Sequence, residues 1–267
     1  MVALLAGGGP LAGAERRNAE EIWRQYVEWG TRRRLRNILP QFDYRDQLLA
    51  DGFPLAEVEE RVRVVEDRLL YSGGMRYWYN RLFAREASVF RVAPNAFLLE
   101  CIRGIEPGRA LAVAMGQGRN AIHLARQGWR VTGFDVSDVG LAVARSRAAR
   151  LGVQLATVHS SYTEFDYGQQ AWDLILLLYA FVTLSDTLAG RLTAALCPGG
   201  RLVFEHLAPT PETENLRPLG IIGMASAAEL TRLFGGLRVV RSEEVVTTPD
   251  WGPAGPVPLV RLLAEKR

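Results

Sequence analysis

The fold of this chain is decided by residues 109–135, whose sequence is RALAVAMGQGRNAIHLARQGWRVTGFD. The apolar residues at its start lead into a turn with Gly116 and Gly118, a pattern typical of a buried strand that ends in a loop. The next residues predict a helix with Asn120 as its N-cap. A second strand follows and ends at Asp135, so the stretch predicts strand, glycine turn, helix and strand in that order.

This order of elements predicts a binding site for a nucleoside. Gly116 and Gly118 have no Cβ atoms, so a ligand can approach their main chain closely, and the N–H groups at the helix start are directed into the same space. Asp135 follows the neighbouring strand, where its carboxylate can accept hydrogen bonds from the two hydroxyls of a ribose. The alternative is a structural role, in which the glycines only form a tight turn and Asp135 only caps a strand.

Two classes of nucleoside cofactor fit the glycine turn. The sequence from Gly116 to Ala121 satisfies G-x-G-x-x-A, the fingerprint of dinucleotide-binding proteins. The longer stretch AMGQGRNAIHLARQGWRVTGFDVS also resembles the first two motifs of class I S-adenosylmethionine-dependent methyltransferases. It is most similar to the tellurite-resistance and thiopurine methyltransferase branch, which has GRNA after the glycines and V-T-G-x-D-x-S on the second strand. The resemblance covers about residues 90–265 and favours S-adenosylmethionine as the cofactor.

The resemblance implies an α/β fold with a Rossmann-like sheet of seven strands, the last pair antiparallel. Residues 89–267 would form the methyltransferase domain, and residues 1–88 a helical extension or lid that shapes the acceptor site. Two downstream patterns support this expectation. The apolar run at 174–179 is typical of a strand buried on both faces of a parallel sheet. The sequence CPGG at 197–200, between a predicted helix and a predicted strand, is a further signature of the resembled fold.

The resemblance also implies which residues hold the cofactor. The glycine turn would line its methionine and ribose end, Asp135 its ribose and Val136 its adenine. Positions just after the third strand would contact the adenine amino group, and the end of the fourth strand would face the reacting centre. The residues assigned to the cofactor in this way are Ala114, Gly116, Gly118, Asn120, Asp135, Val136, Ser161, Tyr162 and Leu178.

Three positions depart from the family pattern. Ala112 stands where an acid on the first strand usually helps to hold the amino end of the cofactor, Ala114 replaces the first glycine of the motif, and Ser161 replaces the adenine-binding acid. A hydroxyl at 161 can still accept a hydrogen bond, and an alanine at 114 is harmless if its φ is negative. The missing acid at 112 keeps a second hypothesis open, namely a protein that binds S-adenosylmethionine without transferring its methyl group.

The methyl acceptor is expected to be a small molecule, with transfer by in-line displacement and without a metal. Aromatic residues that would line its site, or else form a docking face, are Tyr77, Trp78, Tyr79 and Phe83. If the acceptor must lose a proton, His206 at the end of the fifth strand is the first candidate for the general base. A structural role for His206 is an open alternative. Tyr179, after the fourth strand, is a second candidate.

Composition limits the other classes of function. The net charge is +3 and Lys266 is the only lysine, so the positive charge is almost entirely arginine. Arginine-rich helices could serve a nucleic-acid or protein methyltransferase, but the fourth strand ends in YAFVTL without an N-P-P-Y or D-P-P-Y box, so a nucleic-acid partner is not favoured. Cys101 and Cys197 match no metal or redox spacing, which predicts a cytoplasmic protein. No run has the length of a membrane span, and the oligomeric state is left open.

Overall fold

The computed structural model describes residues 13–32, 40–71, 74–84, 90–210, 224–250 and 255–267. The chain divides into two compact units, Met1–Trp78 and Tyr79–Arg267. The division lies within a helix, before the boundary between residues 88 and 89 that the sequence predicts.

The first unit is helical. Its helices are α1 (Gly13–Arg32), α2 (Pro40–Ala50) and α3 (Leu55–Tyr71), and the division falls within α4 (Gly74–Phe83). Buried residues of the first three helices form one core: Ile22, Tyr26, Val27, Tyr44, Leu48, Val58, Val62 and Val65. The amphipathic patterns of α1 and α3 predict both helices, whereas the apolar residues of α2 form no stripe and do not predict it. The amphipathic pattern of the first helix runs from Glu15 to Leu39 in the sequence, and its part from 33 to 39 falls outside the described residues.

The second unit contains a seven-stranded sheet with the order β3-β2-β1-β4-β5-β7-β6. Its strands are β1 (Arg109–Ala112), β2 (Arg130–Asp135), β3 (Ala156–His159), β4 (Trp172–Leu178), β5 (Leu196–Leu207), β6 (Arg238–Thr247) and β7 (Val257–Glu265). The helices are α5 (Ala96–Cys101), α6 (Arg119–Arg126), α7 (Asp138–Arg150), α8 (Asp186–Ala195) and α9 (Ala227–Leu233). Strands β1 to β5 pair in parallel, and β7 is antiparallel to both β5 and β6. The predicted sheet, including its antiparallel end, is confirmed.

The strand order positions a ligand site. The chain builds outward from β1 to β3 and then returns to place β4 on the other side of β1. In open α/β sheets, ligands bind beyond the carboxyl ends of the strands where the order reverses in this way. The glycine turn after β1 and the residues after β4 therefore border the expected site.

The central strands are buried on both faces. Ile175 and Leu177 of β4 lie in one apolar layer, and Leu174 and Leu176 lie in the layer on the opposite face. This arrangement explains the unbroken apolar run in the sequence, because a strand covered on both sides has no solvent face to alternate with.

The start of helix α6 differs from the prediction. The N-cap is Gly118, with φ of 76°, and the helix begins at Arg119, so the prediction of Asn120 as the N-cap is wrong. The side-chain oxygen of Asn120 accepts a hydrogen bond from the backbone N–H of Asn95 at 2.8 Å. Because Gly118 adopts the left-handed conformation without strain, the helix can begin two residues earlier than a side-chain cap at 120 would allow.

The CPGG segment forms an irregularity at the start of β5. Trp172 pairs with Leu196 and Leu174 pairs with Arg201, so residues 197–200 bulge out opposite a single residue of β4. A Cβ atom on Gly200 would lie 2.8 Å from the carbonyl oxygen of Cys197 and 2.9 Å from that of Trp172. Both neighbours are backbone atoms of the sheet, so the bulge requires glycine at this position.

We predict that Gly200→Ala lowers the free energy of unfolding by about 1–3 kcal/mol, since the added methyl group displaces strand backbone. Gly190→Ala is a matched control, because a Cβ atom there meets no atom within 4 Å and the residue lies in α8, where alanine is favoured over glycine by up to about 1 kcal/mol. Urea unfolding of both variants measures the difference. Equal effects of the two substitutions would contradict the account of the bulge.

Among the described residues, three that are not glycine have positive φ: Ala114 at 49°, Gln170 at 46° and Tyr179 at 55°. Ala114 follows β1 and Tyr179 follows β4, so two of them lie at the carboxyl edge where a ligand is expected. A negative φ at Ala114 was the condition for a harmless alanine, and the structure shows that this condition is not met. The Cβ atom of Ala114 therefore carries the steric cost of the left-handed conformation.

We predict that Ala114→Gly raises the free energy of unfolding by about 0.5–1 kcal/mol, because it removes that steric cost. Ala112→Gly is the control: residue 112 lies in β1, outside the positive-φ positions, where glycine should cost about 0.5–1 kcal/mol. Thermal and urea unfolding of the two variants should give shifts of opposite sign. A loss of stability in Ala114→Gly would contradict the strain.

Candidate functional site

The carboxylate of Asp135 joins the end of β2 to the glycine turn. It accepts one hydrogen bond from the backbone N–H of Gly116 at 2.7 Å and another, on its second oxygen, from the N–H of Ser137 at 2.8 Å. The side chain is buried, with the residue 6% exposed. Each carboxylate oxygen can accept a further hydrogen bond, so the group retains capacity for two hydroxyl donors.

Burial raises the pKa of Asp135 above its ordinary value, although the N–H groups of Ser137 and Gly116 and the nearby His159 oppose the shift. In a low-dielectric surrounding, each further hydrogen-bond donor stabilises the charged carboxylate, because few water molecules solvate it. The site therefore favours a ligand that presents hydroxyl groups to this side chain.

The glycine turn is fixed by backbone geometry. Gly116 and Gly118 have φ of 53° and 76°, and the N–H of Gly118 donates to the carbonyl of Met115 at 2.9 Å. A Cβ atom on Gly118 would lie 2.9 Å from the Cβ of Ala144 in α7. Both glycines of the motif are thus required, one of them by packing as well as by conformation.

Residues 79–83, the last turns of α4, lie against this turn. One ring atom of Phe83 lies 3.0 Å from the position of a Cβ on Gly116, and another lies 2.8 Å from that of a Cβ on Gly140. The side chain of Asn80 accepts from the Ser137 hydroxyl at 2.6 Å. Burial, and secondarily the charge of Asp135, raises the pKa of Tyr79.

The four predicted acceptor residues are thus only partly located. Tyr79 and Phe83 stack on each other, with ring centroids 5.6 Å apart, and Tyr79 also approaches Phe181 at 6.2 Å. The side chains of Tyr77 and Trp78 fall outside the described part of the structure. Contact of all four with the acceptor stays a prediction.

The predicted adenine end lies after β2 and β3. A ring nitrogen of His159 lies 3.0 Å from the carbonyl oxygen of Val136. The hydroxyl of Ser161 donates to the carboxylate of Glu164 at 2.7 Å, so an acid lies beside the position where the resembled family has its adenine-binding acid. Tyr162 packs against the core. Glu164 was not anticipated from the sequence, because it lies three residues beyond the motif position.

The end of β4 is held by a buried carboxylate that sequence reasoning also missed. Glu205 is 1% exposed. One of its oxygens accepts from the Tyr179 hydroxyl at 2.8 Å and from the side-chain amide of Asn95 at 2.5 Å, and the other accepts from Nε of Arg261 at 2.6 Å. The carbonyl of Glu205 accepts the N–H of Tyr179 at 2.8 Å. Tyr179 is therefore fixed at both ends next to Leu178, which is buried.

The loop before α5 is tied to the glycine-turn helix. The hydrogen bond from Asn95 to Asn120 joins it to α6, and Arg119 of the same helix forms a 2.7 Å ion pair with Asp250. The second carboxylate oxygen of Asp250 accepts the N–H of Ala96 at 2.7 Å. The side-chain oxygen of Asn120 thus faces the loop, and its predicted contact with the cofactor stays a prediction.

His206 lies in an aromatic and apolar surrounding. The residue is 1% exposed. Its ring centroid lies 5.2 Å from that of Phe181 and 6.1 Å from that of Tyr179. Neither ring nitrogen has a hydrogen-bond partner among the described residues. Burial lowers the pKa of His206 to about 4, so the imidazole is neutral at pH 7 and a weak base. Burial likewise raises the pKa of Tyr179, aided by Glu205. The catalytic roles of both stay predictions.

The described part of the chain contains no group of three or more His, Cys, Asp or Glu side chains arranged to hold a metal ion. Its helices include none with both the length and the apolar character that crossing a bilayer requires.

The chain is similar to known methyltransferases. Residues 110–200 match a family model described as a methyltransferase domain. A ubiquinone biosynthesis O-methyltransferase from Alkalilimnicola ehrlichii is 30% identical over 127 residues, which are 46% of this chain and 51% of the relative. A demethylmenaquinone methyltransferase from Thermus thermophilus is 30% identical over 110 residues, 40% of this chain and 50% of the relative. TehB from Haemophilus influenzae superposes with a TM-score of 0.53 at 16% identity, covering 64% of this chain and 62% of that chain.

The chain spans about half the length of the two relatives it matches in sequence. The likeness to TehB shows a shared fold. The matched segment contains β1, the glycine turn, β2 and Asp135, and its match to a methyltransferase domain favours S-adenosylmethionine over a dinucleotide at this turn. Residues 110–200 are therefore similar to a methyltransferase domain, and the sheet shares its fold with TehB.

Proposed function

We propose that this protein transfers the methyl group of S-adenosylmethionine to a small-molecule acceptor. The observation that carries the proposal is the buried carboxylate of Asp135 at the end of β2, bonded to the N–H of Gly116 in the glycine turn. Its free acceptor capacity suits the two ribose hydroxyls, and the glycines of the turn have no side chains that would block the methionine part.

Methyl transfer requires positioning more than acid or base chemistry. The sulfonium donor is already activated, so the protein must hold acceptor, methyl carbon and sulfur in line. Glu205 holds Tyr179 by two hydrogen bonds, one to its hydroxyl and one to its backbone N–H. These bonds make the end of β4 rigid and so support a role for it in positioning the reactants. His206, neutral and surrounded by rings, would serve as a wall of the site more readily than as a strong base.

For the acceptor we propose a planar aromatic compound with a phenolic hydroxyl, of the quinol type. Two observations support this class. The relatives described above carry names that refer to ubiquinone and menaquinone biosynthesis. In this chain, the rings of Tyr79, Phe181 and His206 follow one another at 6.2 and 5.2 Å near the ends of β4 and β5, and such faces suit an aromatic ring.

Two finer hypotheses remain proposals. Membership of the tellurite-resistance and thiopurine branch is supported by GRNA after the glycines and by the V-T-G-x-D-x-S pattern. A protein that binds S-adenosylmethionine without methylating is supported by Ala112, which leaves β1 without the acid of the resembled family. Two measurements distinguish the binding of S-adenosylmethionine from the transfer of its methyl group.

The first measurement tests the ribose contact by calorimetric titration of S-adenosylhomocysteine and its 2′-deoxy analogue. We expect the parent protein to bind the hydroxylated ligand about tenfold more tightly, or better, because a hydrogen bond to a buried carboxylate discriminates strongly. In Asp135→Ala this preference should disappear. The ratio of the two affinities is compared in each protein, because the substitution also disturbs the glycine turn and would weaken the binding of both ligands.

A preference for the hydroxylated ligand that survives in Asp135→Ala would contradict the assignment of this carboxylate. NAD is the control ligand, and tight NAD binding by the parent protein would favour the dinucleotide alternative instead.

The second measurement tests transfer with methyl-labelled S-adenosylmethionine and three probes: an alkylated catechol, an alkylated naphthoquinol and an alkylated primary amine. We expect label on the phenolic probes and none on the amine, since the rings near β4 and β5 favour a planar acceptor. Label on the amine alone would contradict the acceptor class. Donor binding without transfer to any of the three would favour the non-methylating alternative.

A further inference from the structure

We propose that residues 79–83 form a strap that competes with the cofactor for the surface of the glycine turn. This inference rests on the proposed function, because it concerns how S-adenosylmethionine reaches its site. Residues 79–83 of α4 contact the glycine turn, and this contact must break before the nucleoside can bind.

The ring of Phe83 fills a slot between two glycines. The nearest ring atoms lie 3.0 Å from a Cβ position on Gly116 and 2.8 Å from one on Gly140. Both distances are too short for a side chain at either position, and they leave no layer for a ligand between the ring and the turn. Phe83 is 7% exposed, so the ring is inserted in the slot and does not lie loosely on the surface.

The carboxylate proposed to hold the ribose is also buried. Asp135 is 6% exposed, whereas the proposed function requires two ribose hydroxyls to reach its oxygens. Asn80 of the strap accepts from the hydroxyl of Ser137, two residues after Asp135, and Tyr79 stacks on Phe83 with ring centroids 5.6 Å apart. The strap thus occupies the surface of the glycine turn and lies next to the residues that follow β2.

Three side-chain hydrogen bonds between described residues anchor the strap beside the site. Asn80 accepts from the hydroxyl of Ser137 at 2.6 Å and donates to the carboxylate of Asp138 at 2.7 Å, and the side-chain amide of Gln117 in the glycine turn donates to the carbonyl of Phe83 at 3.5 Å. Asp138 is exposed, so the second of these bonds competes with water and is weak. Anchors of this kind permit opening without unfolding of the sheet, and the cofactor would bind the fraction of molecules in which the strap is open.

The strap lowers the apparent affinity for the cofactor by the fraction of open molecules. Weakening the contact from either side should therefore tighten binding. Phe83→Ala removes the ring. Gly140→Ala keeps the ring and introduces a methyl group at the 2.8 Å position, and because Gly140 lies in α7 at negative φ, alanine suits its helix.

The experiment measures the affinity and association rate of S-adenosylhomocysteine by stopped flow and calorimetry. We expect each single variant to bind at least about threefold more tightly and to associate faster than the parent protein. The double variant should match Phe83→Ala, since the added methyl group has nothing to displace once the ring is absent. Gly190→Ala, a helical glycine in α8 with open space around it, is the matched control and should leave binding unchanged.

Hydrogen exchange gives an independent readout. Ligand binding usually protects the residues around a site, but here the amides of residues 79–83 should exchange faster when S-adenosylhomocysteine is bound, because the strap has left its slot. Thermal unfolding of each variant establishes that it is folded before binding is measured.

The outcomes separate the two proposals. Weaker binding in both single variants, together with protection of residues 79–83, would show that Phe83 is a wall of the cofactor site and would overturn the strap while leaving the proposed function intact. Unchanged binding in both would also overturn the strap alone. Failure of the parent protein and of all folded variants to bind S-adenosylhomocysteine would overturn the proposed function and the strap together.

Discussion

The hydrogen bonds of the Asp135 carboxylate are the constraint on which the site depends. They hold the N–H groups of Gly116 and Ser137 from two different loops, one after β1 and one after β2. A buried carboxylate is costly unless donors surround it, so the two loops must stay in register with each other. This register places the glycine turn, the start of α7 and the acid at one corner of the sheet. The same acid organises the site and, in the proposed function, would contact the nucleoside.

A second buried carboxylate organises the other side of the crevice. Glu205 gathers Tyr179, Asn95 and Arg261, and Asn95 connects onward to Asn120 on the glycine-turn helix. The guanidinium of Arg261 compensates the charge of Glu205, and two neutral donors also bond to its carboxylate, so the buried charge is well supplied with donors. Because satisfied buried networks are rigid, this arrangement fixes the end of β4 relative to the turn after β1.

Much of the fold could be predicted from the sequence, because its signals are local. The glycine turn and the unbroken apolar run of β4 each depend on residues adjacent in the chain, and both appear where they were predicted. The CPGG segment was expected between a helix and a strand, but it forms a bulge within β5. For the site, only the residues at motif positions could be predicted from the sequence. The contacts of Glu205 join residues up to 110 positions apart, and the insertion of Phe83 between two glycines depends on helix placement. Neither follows from spacing or periodicity.

The wrong prediction for the start of α6 and the wrong expectation of a negative φ at Ala114 have the same origin. Both concern backbone conformation in the glycine turn, where sequence preferences favour a side-chain cap and a negative φ. The structure has instead a left-handed Gly118 and a left-handed Ala114, at 76° and 49°. Strain at such a position persists only where the surroundings fix it, and here the residues on either side of Ala114 are bonded to neighbouring strands, Val113 to Leu176 and Met115 to Phe134.

The most direct measurement is a crystal structure of the protein with S-adenosylhomocysteine. We predict that both ribose hydroxyls lie within about 3 Å of the Asp135 carboxylate, and that the Phe83 ring has left the slot between Gly116 and Gly140. A nucleoside bound elsewhere on the sheet, with no contact to Asp135, would contradict the account.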